Sequence, residues 1–130
     1  MSDDFKKNLD LALGNAKRLS NKILIDGKLI SAKTSNKIKV VNPSTGEQIG
    51  EAPQCNKLDV DVAVSSAETA FHKWKKIPAR ERGKMMTAAA RKLEERREEI
   101  ETLLALDTGN ALRTQAKPET AASIELTHMF

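Results

Sequence analysis

The stretch from Asp59 to Trp74, DVDVAVSSAETAFHKW, sets the strongest limit on what this chain can fold into. Val60, Ala63, Val64, Ala67, Ala70, Phe71 and Trp74 recur at steps of three and four, which places them on one side of a 3.6-residue helix. The centre of that ridge is made of small residues and its end of the two bulkiest. Another element can therefore approach closely and be anchored by Phe71 and Trp74. Asn56 stands where an N-cap belongs, and Asp59 three residues on suits the positive end of the helix. The helix runs to about Lys76, where Ile77-Pro78 break it. The ridge is a packing device.

Around it the chain reads as hairpins followed by helices. Residues 3 to about 20 form either a short helix, with Phe5, Leu9, Ala12, Leu13 and Ala16 on one side, or a mobile arm. Ile23 to Ile30 holds two short apolar runs around Asp26-Gly27, a dipeptide suited to a tight hairpin turn because both positions need positive φ. After the polar loop SAKTSN, Ile38, Val40 and Val41 suggest a strand, Pro43 to Gly46 a turn, and Gln48 to Ala52 a returning strand. Pro78 opens the next helix, whose inner stripe is Met86, Ala89, Leu93, Ile100, Leu103 and Leu104. The phase slips near Arg96-Arg97, so two helices or a kink are expected there, with Gly109 as the C-terminal cap. A loop follows, and Pro118 starts a last helix with Ala121, Ala122, Ile124, Glu125, His128 and Met129. The pattern stops at Met129-Phe130 without a capping glycine or polar tail, which implies an unfinished domain. The expected fold class is α+β: N-terminal β-hairpins, then three or four amphipathic helices.

Composition excludes more than it suggests. A chain of 130 residues can hold one core, but with three Phe, one Trp and no Tyr that core is thin. The net charge of +4 comes from 22 basic and 18 acidic side chains interleaved nearly everywhere, without the basic face and stacking aromatics of a nucleic-acid binder. That function ranks last. A single cysteine excludes an internal disulfide framework and fits a reducing compartment. No segment reaches the roughly 18 apolar residues of a membrane helix, and the acidic N-terminus does not read as a signal peptide, so a soluble, cytoplasmic protein is the expectation.

Each candidate for chemistry has a plainer explanation. Cys55 lies just before a helix start with Lys57 nearby, but no histidine is close in sequence and a lone loop cysteine is ordinarily inert. His72 sits among Lys73, Lys75 and Lys76 on a solvated flank. His128 has only Glu125 at metal-ligand spacing, and such a pair needs further carboxylates. The charge run from Arg80 to Glu101 places Arg91 with Glu95 and Arg97 with Glu101 at helical i, i+4 spacing, the pattern of a solvated face. The glycines form neither GxGxxG nor a Walker loop. No catalytic, cofactor-binding or metal-binding residue emerges.

Five segments, in order and at matching separations from about residue 23 to 130, resemble the aldehyde dehydrogenase family. Ile25-Asp26-Gly27 resembles its N-terminal Ile-Asx-Gly hairpin, and Asn42-Pro43-Ser44-Thr45-Gly46-Glu47 its Asn-Pro-x-Thr-Gly-Glu turn. Asp59 to Trp74 is similar to its first long helix, Arg82 to Ile100 to the helices that follow, and Asp107-Thr108-Gly109 to the Glu-Thr-Gly that closes them. Asp107 stands where the family more often has Glu, and Asn110 where Lys is common. The resemblance implies residues 1–22 as an N-terminal helix or arm. It implies residues 23–130 as the truncated N-terminal segment of the cofactor-binding domain, ahead of the Rossmann-like sheet of the α/β aldehyde dehydrogenase fold.

It further implies an enzyme that oxidises aldehydes to carboxylic acids with NAD or NADP, and intact members that are homo-oligomers. The family's Pro-Trp-Asn, Glu-Leu-Gly-Gly-Lys and Gly-Gln-x-Cys motifs are absent from the sequence, and Cys55 precedes the first long helix, so it is not the catalytic thiol. The expectation is thus a fragment, inactive and free of cofactor by itself. Its partner would be the remainder of an aldehyde dehydrogenase chain or another subunit. The alternative is a stand-alone helical module that binds proteins through the Val60–Trp74 ridge.

Overall fold

A computed structural model describes residues 3–129. Helix α1 (Asp3–Leu19) leads into hairpin β1 (Lys22–Ile25) and β2 (Lys28–Ser31), then hairpin β3 (Lys37–Val41) and β4 (Gln48–Pro53). Helices α2 (Lys57–Trp74), α3 (Ala79–Glu95) and α4 (Arg97–Thr108) follow, then a π-turn (Leu112–Ala116) and α5 (Lys117–Met129). Met1, Ser2 and Phe130 lie outside the described residues, and with Phe130 the expected apolar terminus.

Local chemistry accounts for both hairpins. Asp26 and Gly27 take φ of 51° and 70°, the left-handed pair that a two-residue turn needs to match the twist of its strands, and Ile25 pairs with Lys28 across it. In the second hairpin the turn is built by Asn42. Its carbonyl accepts from the Gly46 N–H at 2.8 Å, its side-chain oxygen from the Ser44 N–H at 2.9 Å, and its own N–H donates to the Glu47 carbonyl. A register shift at Val40/Val41 takes up the extra residue.

The helices meet on methyl groups. Ala12, Ala90 and Ala116 are fully buried, joined by Ile49 and Ile124, and among the described residues no large side chain is completely enclosed. α1 packs on α4 and β4, α3 on α5, and the π-turn on α4 and α5. At the α1–β4 contact the Ser20 hydroxyl donates to the Ala16 carbonyl and accepts from the Glu51 N–H, stitching the helix end to the strand.

Several inner positions differ from the sequence expectation. Ala90, rather than Ala89, is the buried point of α3, and Leu93 remains exposed. At Arg96-Arg97 the first of the two expected alternatives holds: the chain breaks into two helices, with Arg96 at φ −114° and ψ 16°. Asn110 is followed by a π-turn instead of a loop, in which the Ala116 N–H reaches back five residues to the Ala111 carbonyl.

The charge run is only partly a solvated face. Glu99 and Glu101 are buried, because α1 lies against that side of α4. Among the described residues the ion pairs formed within the run are Lys84–Glu81, Lys92–Glu95, Arg96–Glu99 and Arg97–Glu94, all at three-residue spacing. Arg91–Glu95 and Arg97–Glu101 do not pair.

Two distant turns lock together. Gly109 caps α4 at φ 74°, and a Cβ built on it would lie 2.8 Å from Pro43 Cγ and 3.6 Å from Ser44 Oγ. Only glycine meets both demands, the left-handed backbone and the close approach. Gly109→Ala should therefore cost about 2–3 kcal/mol in urea unfolding, part backbone strain and part collision. In the Gly109→Ala/Pro43→Ala double variant the collision is relieved and roughly 1 kcal/mol of coupling should appear. Simple additivity of the two changes would disprove the lock.

Candidate functional site

Among the described residues, the apolar face of α2 meets little of the rest of the chain beyond the edge of β1. The helix starts on a reciprocal cap: Asn56 Oδ1 accepts from the Asp59 N–H at 3.1 Å, and Asp59 Oδ2 accepts from the Asn56 N–H at 3.3 Å. The other Asp59 oxygen accepts from the Lys33 N–H at 2.9 Å, which ties the loop between β2 and β3 to the helix start. Asp59 is the one buried residue of α2. Its carboxyl is held below the ordinary range chiefly by the Lys33 N–H, with Asn56 and Thr34 assisting and burial acting the other way.

Beyond that anchor the ridge is bare. Val60 is 50%, Val64 60%, Phe71 57% and Trp74 37% exposed, and Ala67 and Ala70 are exposed between them. A helix with this much apolar surface in water calls for a covering surface. Beside the ridge, Ile25 and Asp26 of the first hairpin and Ile77 form one side of an open groove along the C-terminal half of α2. Lys75 Nζ stands 5.4 Å from the Phe71 ring centre, a cation–π contact at the edge of the same face.

The sequence candidates for chemistry are dispersed. Cys55 is an exposed free thiol in the loop before α2. The Asp59 N–H at that helix start is taken by the Asn56 cap, so it is not available to a Cys55 thiolate. His72 is exposed, its ring 6.1 Å from that of Phe71. Glu125 and His128 are exposed on α5, and among the described residues no three His, Cys, Asp or Glu side chains gather to hold a metal ion. Gly27, Gly46 and Gly109 serve turns or caps at positive φ, and the β4–α2 connection, Gln54 to Asn56, contains no glycine. These residues do not fit a pyrophosphate cradle, which needs free backbone N–H groups at a helix start.

The residue that sequence reasoning undervalued is Glu99. Arg96 grips it with Nε at 2.9 Å and Nη2 at 2.6 Å, and Asn15 Nδ2 of α1 adds a bond at 2.7 Å. Arg96 above all lowers its pKa, against the opposing effect of burial. The neighbouring Asn8 Nδ2 donates to Glu98 at 2.8 Å, so amides of α1 clasp carboxylates of α4. The usable signal was the pair Asn8 and Asn15 at a two-turn spacing beside the apolar stripe of α1.

The family model described as "Aldehyde dehydrogenase family" matches residues 30–130, and the chain belongs to that family. It is 37% identical over 101 residues to malonate-semialdehyde dehydrogenase 2 of Shouchella clausii, covering 78% of this chain and 21% of the relative. To the human cytosolic 10-formyltetrahydrofolate dehydrogenase it is 32% identical over 115 residues, 87% of this chain and 13% of the relative. Among solved structures, betaine aldehyde dehydrogenase of Staphylococcus aureus in complex with NAD+ superposes with a TM-score of 0.83 at 28% identity, over 93% of this chain and 24% of that one. HpcC of Thermus thermophilus gives 0.88 at 23% identity over 95% and 24%, a likeness of fold alone. The chain thus spans about a fifth of the first relative's length and about a quarter of these solved chains. The two hairpins and the helices after them are the α+β architecture expected from sequence, within the aldehyde dehydrogenase fold.

Both anchored carboxyls have folded pKa values below their ordinary ones, so at low pH the unfolded chain binds more protons. Their stabilisation is complete above the ordinary carboxylate range and is lost as pH falls through the depressed values. Glu99→Gln should cost about 1–2 kcal/mol at neutral pH and flatten the acid limb of a stability–pH curve. An acid limb as steep as that of the parent chain would rule out this role for Glu99.

Proposed function

We propose that these 130 residues act as the opening segment of an NAD(P)-dependent aldehyde dehydrogenase, an oxidoreductase that converts an aldehyde to a carboxylic acid. The segment's part is structural: it presents the α2 face and the first hairpin to the remainder of such a chain or to another subunit. The observation that carries the reading is the bare Val60–Trp74 ridge on a chain that matches its family over most of its own length but spans about a quarter of its solved relatives. The chain by itself is inactive in this reading. Thiol addition to the aldehyde, hydride transfer to the nicotinamide and activation of the hydrolytic water each need a group from motifs that the sequence lacks.

A second reading rests on the same ridge: a self-sufficient helical module that docks a partner protein through α2. The two readings separate in solution. In the first, the purified chain shows no NADH or NADPH formation with short aliphatic and aromatic aldehydes. It also associates through α2, and Val64→Glu/Phe71→Glu shifts it toward monomer in sedimentation. Turnover well above a no-protein control overturns the first reading. A monomer with a sharp, two-state thermal transition favours the module.

A further inference from the structure

We propose that Asp26-Gly27, at the tip of the first hairpin, is a site of spontaneous backbone isomerisation to isoaspartate. Asp26 is the one Asp in the sequence followed by Gly, and no Asn-Gly occurs. The reaction needs an unhindered backbone nitrogen next to a free carboxyl group. Both are present: the turn is exposed, and a Cβ at Gly27 would meet no atom within 4 Å. Among the described residues no side-chain hydrogen bond or ion pair reaches the Asp26 carboxyl. Among the described residues no turn or loop backbone bond uses the Gly27 N–H.

The other acids differ. Asp59 is fixed by the Lys33 and Asn56 N–H groups and Asp61 by Lys57, and each is followed by β-branched valine inside a helix. At Asp26 the Gly27 nitrogen attacks the side-chain carboxyl carbon, the N–C bond forms, and a carboxyl oxygen leaves as water. Hydrolysis of the resulting succinimide at either carbonyl returns Asp or gives isoaspartate, whose main chain carries one more carbon. That extra carbon cannot be held in a two-residue turn with Ile25 paired to Lys28. Since Ile25 and Asp26 line the groove along α2, the change would displace one wall of the apolar face.

The test uses the full chain at physiological temperature and neutral pH, sampled over weeks. Cleavage after lysine releases the Ile23 to Lys28 peptide, and isoaspartate is read by enzymatic methyl transfer and by fragmentation. Conversion there should run about tenfold faster than at any other Asp, because only here does the following residue lack a Cβ. Gly27→Ala should suppress it. Asp26→Glu, which would need a slower-forming six-membered ring, should do so while keeping Gly27. D26N, losing ammonia through the same ring, should reach the same products sooner. An Ile23 to Lys28 peptide that converts no faster than the other Asp peptides overturns the proposal, as does a D26N chain that stays unconverted over the same period.

Discussion

Close approach through missing side chains governs this fold. Gly109 admits Pro43 to the end of α4, and fully buried alanines stand where helices meet. Such contacts bring backbones near one another but remove little apolar area from water, and hydrophobic stabilisation scales with that area. Polar clasps supplement them, with Asn15 and Arg96 on Glu99, Asn8 on Glu98, and Ser20 between α1 and β4. The molecule is held by geometry and hydrogen bonds more than by a bulky core, and many of its larger apolar side chains are left exposed.

That arrangement makes sense of where the family motifs fall. The Asn-Pro-x-Thr-Gly-Glu turn and the Asp-Thr-Gly closure are more than sixty residues apart, yet they form one contact in which proline needs glycine opposite it. Departures from the family pattern at Asp107 and Asn110 leave that contact intact. Asn110 instead donates to Glu119 at 3.3 Å, reaching across the π-turn to α5. These two motifs therefore record a packing requirement.

What could be read from sequence was what local chemistry decides. The Asp26-Gly27 turn, the turn from Pro43 to Gly46, the Asn56 cap and the break at Ile77-Pro78 each depend on a few adjacent residues, and each was legible, though α2 ends at Trp74, slightly before the expected Lys76. The inward turn of Glu99 and Glu101 was not, because it is imposed by α1 from more than eighty positions away. Helical spacing suggested Arg91–Glu95 and Arg97–Glu101. The break at Arg96 instead restarts the phase, and Arg97 reaches back to Glu94. The π-turn left no signal, since a five-residue backbone bond has no side-chain signature comparable to a cap. As for the site, the spacing made the ridge visible as a pattern, and the expectation of an unfinished domain already left it uncovered, as its exposed Val60, Val64 and Phe71 are.

The Asp59 anchor bears on how the ridge is aimed. With its one buried side chain near the N-terminus, α2 is fastened like a cantilever, firmly at the root and lightly along its length. Trp74 lies about four turns from that root, near 22 Å at 1.5 Å per residue. A tilt of a few degrees at Asp59 moves Trp74 by more than an ångström, which is enough to change which side chains it meets. The root fixes where the helix begins and leaves its far end the part most easily swung.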